Sequence, residues 1–151
     1  MSVPLRFLWP WYWPAWFALG LTRVFAKLSY PALLRTCSAL GTLARWVLPV
    51  QRRIVRRNLE LCLPELDRAE RERILRDHFR NLGITIGETV LSWWDDGSRI
   101  RALAQIDGLE HVDRALERGR GVILLAAHFT TLEMGARIMT LARPIHPMYK
   151  P

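Results

Sequence analysis

The charged residues of this chain are segregated along the sequence, and this segregation constrains the fold more than any other feature. Residues 1–59 hold nine basic side chains and no acidic one, because the first carboxylate is Glu60. The same segment carries five of the seven tryptophans. The N-terminal third therefore accounts for all of the net charge of +8 and for most of the tryptophan.

Basic residues interleaved with aromatic ones occur on nucleic-acid-binding surfaces and at membrane interfaces. A nucleic-acid surface would be polar overall, with arginines spread along one element. Here residues 7–22 contain no charge, and the tryptophan-rich stretch ends only at Arg23. Tryptophan and arginine beside aliphatic side chains are typical of the interfacial belt of a bilayer. The pattern argues against nucleic acid as a partner and favours a membrane bilayer.

Residues 1–30 are predicted to form an uncleaved hydrophobic membrane anchor. Sixteen helical residues reach about 24 Å, less than the roughly 30 Å of a hydrocarbon core. The anchor therefore either spans the bilayer with help from snorkelling Arg23 and Lys27 or lies deeply in the interface. Pro10 and Pro14 delay the start of its helix. A signal peptide fits poorly, because a basic start and a small-residue cleavage site are missing.

The segment that follows the anchor is predicted to form an amphipathic helix. Its apolar residues recur at intervals of three and four and share one face, which either lies in the membrane interface or covers the core: Leu33, Cys37, Leu40, Ala44 and Val47. An arginine-rich turn over 52–57 comes next, and each arginine beside an anionic leaflet contributes about 1 kcal/mol of binding. By the positive-inside rule, this places the domain on the cytoplasmic side.

A long helix is predicted from Asp67 to about Trp94. Asp67 and Glu70 have the spacing of a capping box. Gly83 and Gly87, four residues apart, allow a neighbouring element to approach closely. The apolar side chains expected to face the core are Leu75, Phe79, Leu82, Ile86, Val90 and Trp93.

No metal site or disulfide framework is predicted. Cys37 and Cys62 lack the CxxC spacing of a zinc site and are interpreted as buried small hydrophobic residues. Asp95 and Asp96 stand beside Gly97, a combination that predicts a turn rather than metal ligands.

From residue 100 the pattern changes to one that predicts an α/β fold. Strands are expected over 103–106, 122–127 and 145–149, and helices over 109–118 and 130–141. A continuous apolar run such as 122–127 is typical of a strand buried on both faces. Strand, helix and strand joined by short connections imply parallel βαβ units, with chemistry beyond the carboxyl ends of the strands.

His128 follows the predicted strand 122–127, and Glu133 lies in the first turn of the next helix. A histidine that removes a proton from a hydroxyl benefits from a carboxylate that fixes its tautomer and stabilises the imidazolium. The alternative is structural, because Thr130 and Glu133 have the spacing of a capping box. The other histidines are interpreted as structural: His78, His111 and His146.

The segment from His128 to Glu133 resembles the histidine, four residues, acid motif of the lysophospholipid acyltransferase superfamily. More specifically, the chain resembles the N-terminal half of the late acyltransferases of lipid A biosynthesis, the lauroyl and myristoyl transferases of Gram-negative bacteria. The ordered features that carry this resemblance are the Trp/Tyr-rich start, the basic turn leading into NLELCLP at 58–64, HFRNLG at 78–83, Gly121-Val122 running into His128, and Tyr149-Lys150-Pro151.

The resemblance implies acyl transfer from an acyl carrier protein thioester to a hydroxyl of a lipid A precursor, at the cytoplasmic face of the bacterial inner membrane. It implies His128 as the general base and Glu133 as its orienting carboxylate, with no metal or cofactor. Lys150 is a candidate contact to an acceptor phosphate, although a surface lysine in a strand is the better explanation. The expected fold is α/β, with the anchor over 1–30 and the N-terminal part of an acyltransferase domain over 31–151.

Members of this family are roughly twice as long as this chain, and the residues that complete their acceptor site lie beyond the segment matched here. The chain is therefore expected to be part of a longer enzyme or a truncated gene product. Two alternatives remain open: a related acyltransferase that acts on glycerophosphates or glycolipids, and an inactive membrane-bound fragment.

Overall fold

The fold is built from helices throughout the part of the chain that the computed structural model describes, residues 4–119, 121–127, 129–146 and 148. Two short 3-10 helices, Leu5–Leu8 and Pro10–Tyr12, precede the first α-helix. The α-helices are α1 (Trp13–Phe25), α2 (Tyr30–Val47), α3 (Pro49–Cys62), α4 (Arg68–Trp94), α5 (Ser98–Leu103), α6 (Leu109–Glu117) and α7 (Leu132–Ala142).

The prediction of an α/β fold with βαβ units is wrong for the described residues, which contain no β-strand. Of the predicted strand 103–106, Leu103 belongs to α5 and 104–106 are irregular, and 121–127 are irregular as well. A buried strand requires neighbouring strands that pair with its backbone and cover its side chains. None of the described segments supplies such a partner, and Ile123 and Leu125 are 86% and 98% exposed. The third predicted strand, 145–149, lies partly outside the described residues.

Helix α4 has the start and the end that were predicted for it. The Glu70 backbone N–H donates to Asp67 Oδ1 at 2.8 Å, and the Asp67 N–H donates to Glu70 Oε2 at 3.1 Å. This reciprocal capping box satisfies two of the N–H groups that a helix N-terminus leaves without partners. The helix then runs without interruption to Trp94.

Helices α2 and α4 cross at a contact between glycines. A Cβ atom added at Gly41 would lie 2.9 Å from the Gly83 Cα, and one added at Gly83 would overlap the Cys37 carbonyl oxygen. A Cβ at Gly87 would lie 2.8 Å from the Cys37 Sγ. The predicted close approach at Gly83 and Gly87 is thereby confirmed, with α2 as the approaching element.

The glycine contact changes which side chains are buried. In α4 the buried stripe passes through Gly83 and Gly87, so that Leu82 and Ile86, predicted to face the core, are 41% and 58% exposed. Trp93 is exposed as well. In α2 the buried residues are Leu33, Cys37 and Gly41, whereas Leu40 and Val47 face outward. Large side chains are displaced from the crossing because the two backbones touch there.

A small apolar cluster lies beside this crossing. It consists of Leu33 and Cys37 of α2, Leu91 of α4 and Ile100 of α5. Met134, Ile138 and Leu141 of α7 pack against it, together with Phe25, Leu28 and Tyr30. The cluster thus joins the region where α1 ends and α2 begins to α7.

Polar contacts attach α1 to the end of α4. The Trp94 Nε1 donates to Thr22 Oγ1 at 3.0 Å, and the Arg23 guanidinium lies 4.9 Å from the centroid of the Trp94 ring. Arg99 donates to the carbonyl oxygens of Ala26 and Leu28 at 2.7 and 2.8 Å, which satisfies backbone groups where α1 ends.

The outer surface of α1 is apolar and open. None of its residues is buried, and its exposed side chains include Trp13, Phe17 and Val24. Across the part of the chain that the structure describes, no helix has both the length and the apolar character that a membrane crossing requires.

The glycine crossing predicts that Gly83→Ala lowers the free energy of unfolding by about 3 kcal/mol or more, at the upper end of overpacking costs. The reason is that the new methyl group meets a backbone carbonyl, which cannot rotate away as a side chain would. Urea denaturation followed by circular dichroism measures the effect.

Gly135→Ala in α7 provides the matched control. A Cβ at Gly135 meets nothing within 4 Å, so this variant should gain up to about 1 kcal/mol from helix propensity alone. Equal unfolding midpoints for the two variants would contradict the packing described for α2 and α4.

Candidate active site

The structure places one of the three residues predicted to form the site. Glu133 is the second residue of α7, and its side chain is exposed. His128 and Lys150 lie outside the described residues. Their roles as general base and as phosphate contact therefore stay predictions from the sequence.

Glu133 does not serve as a capping-box residue. Helix α7 begins at Leu132 with Thr131 as its N-cap, so Glu133 occupies the second helical position rather than the third. Thr131 makes no capping hydrogen bond through its side chain. The structural alternative that paired Thr130 with Glu133 is therefore wrong. The position still suits a carboxylate, because the helix N-terminus favours negative charge.

Helix α7 is held firmly behind Glu133. Met134, Ile138 and Leu141 pack against the apolar cluster, and the Arg137 Nη2 donates to the Asp95 carbonyl oxygen at 3.3 Å. Because Met134 directly follows Glu133, the carboxylate is carried by the docked end of a rigid helix. Catalytic groups on such elements are positioned more reproducibly than those on loops.

The chain enters α7 through tight turns. The Phe129 N–H donates to the Ala127 carbonyl oxygen at 2.9 Å, and the Leu132 N–H donates to the Phe129 carbonyl oxygen at 3.3 Å. The Gly135 N–H then bonds to the Thr131 carbonyl oxygen at 2.9 Å and closes the first helical turn. These hydrogen bonds define the turn through which the backbone enters the helix.

An ion pair secures the other end of α7. Arg143, directly after the helix, donates from Nε and Nη2 to the two carboxylate oxygens of Asp113 in α6, each at 2.7 Å. These hydrogen bonds hold the pKa of the Asp113 carboxyl below its ordinary value. Bidentate pairs of this kind fix orientation as well as distance.

The described residues show no cluster of three or more side chains suited to a metal ion. Asp95 and Asp96 instead accept hydrogen bonds from the Gly97 and Ser98 backbone N–H groups, each at 2.8 Å, with Gly97 at a φ of 102°. The predicted turn is thereby confirmed. Cys37 is buried, and burial raises the pKa of its thiol, whereas Cys62 is exposed, contrary to its prediction.

The structure also contains a partly buried Tyr–Glu pair that the sequence did not predict. The Tyr30 hydroxyl donates to Glu88 Oε1 at 2.9 Å, and Glu88 is only 8% exposed. Its second oxygen, Oε2, has no hydrogen-bond partner among the described residues. Burial, followed by the hydrogen bond and charge of Glu88, raises the pKa of Tyr30 to about 12. A helical pattern that counts Gly83 and Gly87 as core positions would have placed Glu88 beside the buried face.

A shallow apolar cavity of about 190 Å³ lies between α5 and α7. Its lining includes Ile100, Ala104, Ile138 and Leu141. This volume is below the range of about 300–1,000 Å³ typical of small-molecule sites, so the cavity is too small to define a ligand.

The Tyr30–Glu88 pair predicts that Tyr30→Phe destabilises the chain by about 1–3 kcal/mol, because it leaves a buried carboxylate without its hydrogen bond. Adding Glu88→Leu should recover most of this loss, since both polar partners are then gone. Chemical denaturation of the two variants measures the difference. If the double variant were no more stable than Tyr30→Phe, this would show that groups other than Tyr30 stabilise Glu88.

The same pair predicts a pH dependence. The pKa of Tyr30 is about 12 in the folded chain and near 10 when unfolded. Its contribution to the free energy of unfolding is therefore complete below pH 10. As the pH rises from 10 to 12, the unfolded chain loses the proton first, and this contribution is lost. The wild type should therefore lose stability more steeply than Tyr30→Phe across this interval.

Comparison with known proteins relates the whole chain to one family. Residues 3–151 match the family model described as bacterial lipid A biosynthesis acyltransferase. The lipid A biosynthesis palmitoleoyltransferase of Escherichia coli K12 is 39% identical over 146 residues, which are 97% of this chain and 48% of that protein. The lauroyltransferase of the same organism is 35% identical over 142 residues, 94% of this chain and 46% of that protein.

A lipid A biosynthesis acyltransferase of Haemophilus influenzae is 37% identical over 148 residues, 97% of this chain and 47% of that protein. No solved structure matches the chain at a significant level. The chain spans about half the length of the curated relatives it matches. The match over almost every residue confirms the resemblance drawn from the sequence, and the chain belongs to the bacterial lipid A biosynthesis acyltransferase family.

Proposed function

We propose that this chain supplies the N-terminal half of an acyltransferase that moves a fatty acyl chain from acyl carrier protein to a hydroxyl of a lipid A precursor. The observation that carries the proposal is the family match over residues 3–151. The names of the relatives, which describe palmitoleoyl and lauroyl transfer in lipid A biosynthesis, support the same class of reaction.

In the proposed reaction His128 accepts the proton of the acceptor hydroxyl. The hydroxyl oxygen forms a bond to the thioester carbonyl carbon, the carbon–sulfur bond breaks, and the proton passes to the departing thiolate. Glu133 hydrogen-bonds to the imidazole and stabilises its charged form. Its place in the docked first turn of α7 supports this positioning role. Neither a metal nor a covalent acyl-enzyme is required.

We also propose that the chain works at the cytoplasmic face of the bacterial inner membrane, with α1 lying in the interface. The exposed aromatic side chains on and before α1 support this arrangement, because Trp11, Trp13 and Phe17 are 89%, 63% and 75% exposed. Tryptophan is favoured at the headgroup level of a bilayer. An acceptor embedded in the membrane would then reach the site without leaving the lipid.

The catalytic proposal predicts that His128→Ala lowers acyl transfer at least 100-fold, in line with the 10²–10⁴-fold worth of a general base. Glu133→Gln should cause a smaller loss, because it removes the charge that orients and stabilises the imidazolium. The assay follows transfer from lauroyl- or palmitoleoyl-carrier protein to a lipid A precursor in detergent micelles. It uses the chain extended to the length of its relatives, beside the 151-residue chain.

His111→Ala is the matched control for that assay. His111 lies on the exposed surface of α6, where its Nδ1 is 2.7 Å from the Arg114 Nη2, so its loss should leave the rate within about twofold. An active extended form that is indifferent to His128→Ala would refute the assignment of the base. Preference for a glycerophosphate or another glycolipid would refute the assigned acceptor, and an inactive extended form would favour the membrane-bound fragment.

The membrane proposal predicts that Trp11→Ser with Phe17→Ser weakens binding to lipid vesicles at least 10-fold, since each aromatic side chain buries about 150–250 Å². Vesicle co-sedimentation measures the binding. Leu116→Ser, which removes an exposed apolar side chain from α6, is the control and should bind as the wild type does. Unchanged binding by the double variant would show that α1 does not enter the interface.

A further inference from the structure

The corner between α2 and α3 brings two guanidinium groups to one exposed tryptophan. The Arg45 Cζ lies 4.7 Å from the centroid of the Trp46 ring, and the Arg52 Cζ lies 5.0 Å from the same centroid. Trp46 is nevertheless 61% exposed. A cation is attracted to the negative face of an aromatic ring, and this attraction favours the observed positions of both arginines.

Two positive charges are thereby kept close together. Since both distances refer to one centroid, the charges lie within about 10 Å of each other, which is the Debye length at 0.1 M salt. At this separation salt screens the repulsion between the two guanidinium groups only in part. Such an arrangement favours an anion that neutralises both.

The neighbouring carboxylates neutralise this corner only in part. Glu72 of α4 is 3.7 Å from Arg52 and 3.1 Å from Arg56, so one acid serves two arginines. Arg45 takes part in none of the ion pairs of the described residues. The Nε atoms of Arg45 and Arg52 are both buried and have no hydrogen-bond partner within the same part of the chain.

The surface around Trp46 is apolar. The exposed aliphatic side chains at this corner are Leu43, Val47, Val50 and Ile54, with exposures of 58%, 68%, 64% and 54%. An anion that binds the two arginines therefore has hydrocarbon directly beside it. A membrane lipid offers this combination, because its phosphate and its acyl chains are covalently joined, whereas a nucleic acid presents phosphates in a polar setting.

We propose that Arg45, Trp46 and Arg52 form a binding site for the phosphate group of a lipid in the bilayer. The Trp46 indole lies at the headgroup level, and guanidinium N–H groups donate charge-assisted hydrogen bonds to the phosphate oxygens. Leu43, Val47 and Val50 face the upper part of the acyl chains. The site rests on the membrane association proposed above and gives it a lipid contact separate from α1.

The test compares two double variants of the 151-residue chain that remove the same charge. Arg45→Gln with Arg52→Gln removes the site, whereas Arg73→Gln with Arg76→Gln removes two exposed arginines of α4. Phosphatidylcholine vesicles carry either phosphatidic acid or a sulfated glycolipid at equal surface charge. Circular dichroism confirms that both variants retain the helical fold.

The site variant should bind phosphatidic acid vesicles about 30-fold more weakly than the wild type, the effect expected for two arginines at an anionic surface. The control variant should change less than threefold by the same measure, because the cation–π contacts of the described residues pair Trp46 with Arg45 and Arg52 and not with Arg73 or Arg76. On the sulfated vesicles the loss in the site variant should be smaller, because a sulfate monoester carries one negative charge whereas a phosphate monoester carries about 1.5 to 2. Millimolar inorganic phosphate at constant ionic strength should leave vesicle binding unchanged.

Equal weakening by both double variants would overturn the site, because it would show diffuse charge rather than a local phosphate contact. Displacement by inorganic phosphate would overturn the choice of a lipid. A wild type that binds no vesicle would refute the membrane association itself. A wild type that binds, beside a site variant that binds equally well, would refute only the phosphate site.

Discussion

The contact between the backbones of α2 and α4 determines much of this structure. Gly41 and Gly83 meet where no side chain intervenes, and Cys37 fills the space beside Gly87. With the two axes so close, Leu33 and Leu91 complete the cluster against which α5 and α7 pack. Helix α7 has no buried residue of its own and is held by its contacts with this cluster. The position of Glu133 therefore depends on residues that are far from it in sequence.

Helix α4 links the parts of the chain to which separate functions are assigned. Its C-terminal end holds α1 through Trp94, and the loop that follows holds α7 through the Asp95 carbonyl oxygen. Its N-terminal part supplies Glu72 to the arginines of α3. The surface proposed to meet the membrane and the residue proposed to orient the catalytic base are thus mounted on one helix.

Local signals in the sequence were sufficient for some elements and insufficient for others. The capping box at Asp67 and Glu70 fixes the start of α4 through bonds between near neighbours, and it was predicted correctly. The run 122–127 was predicted as a strand, but strand formation depends on partner strands that the run itself does not encode. The exposure of Leu82 beside the predicted approach at Gly83 was missed, because hydrophobicity alone ranks leucine as a core residue. For the site, the motif identified Glu133, whereas Glu88 became visible only once Tyr30 was seen to approach it.

The hydrogen bonds from Arg99 to the last carbonyl oxygens of the α1 region have a mechanical consequence. They join the end of α1 to the beginning of α5 and so restrict the movement of α1 relative to the rest of the chain. If α1 floats at a given depth in the lipid, the height of the N-terminus of α7 above the bilayer is set by the same rigid frame. In the proposed arrangement, the reaction would then reach only hydroxyl groups that project from the membrane by that fixed height.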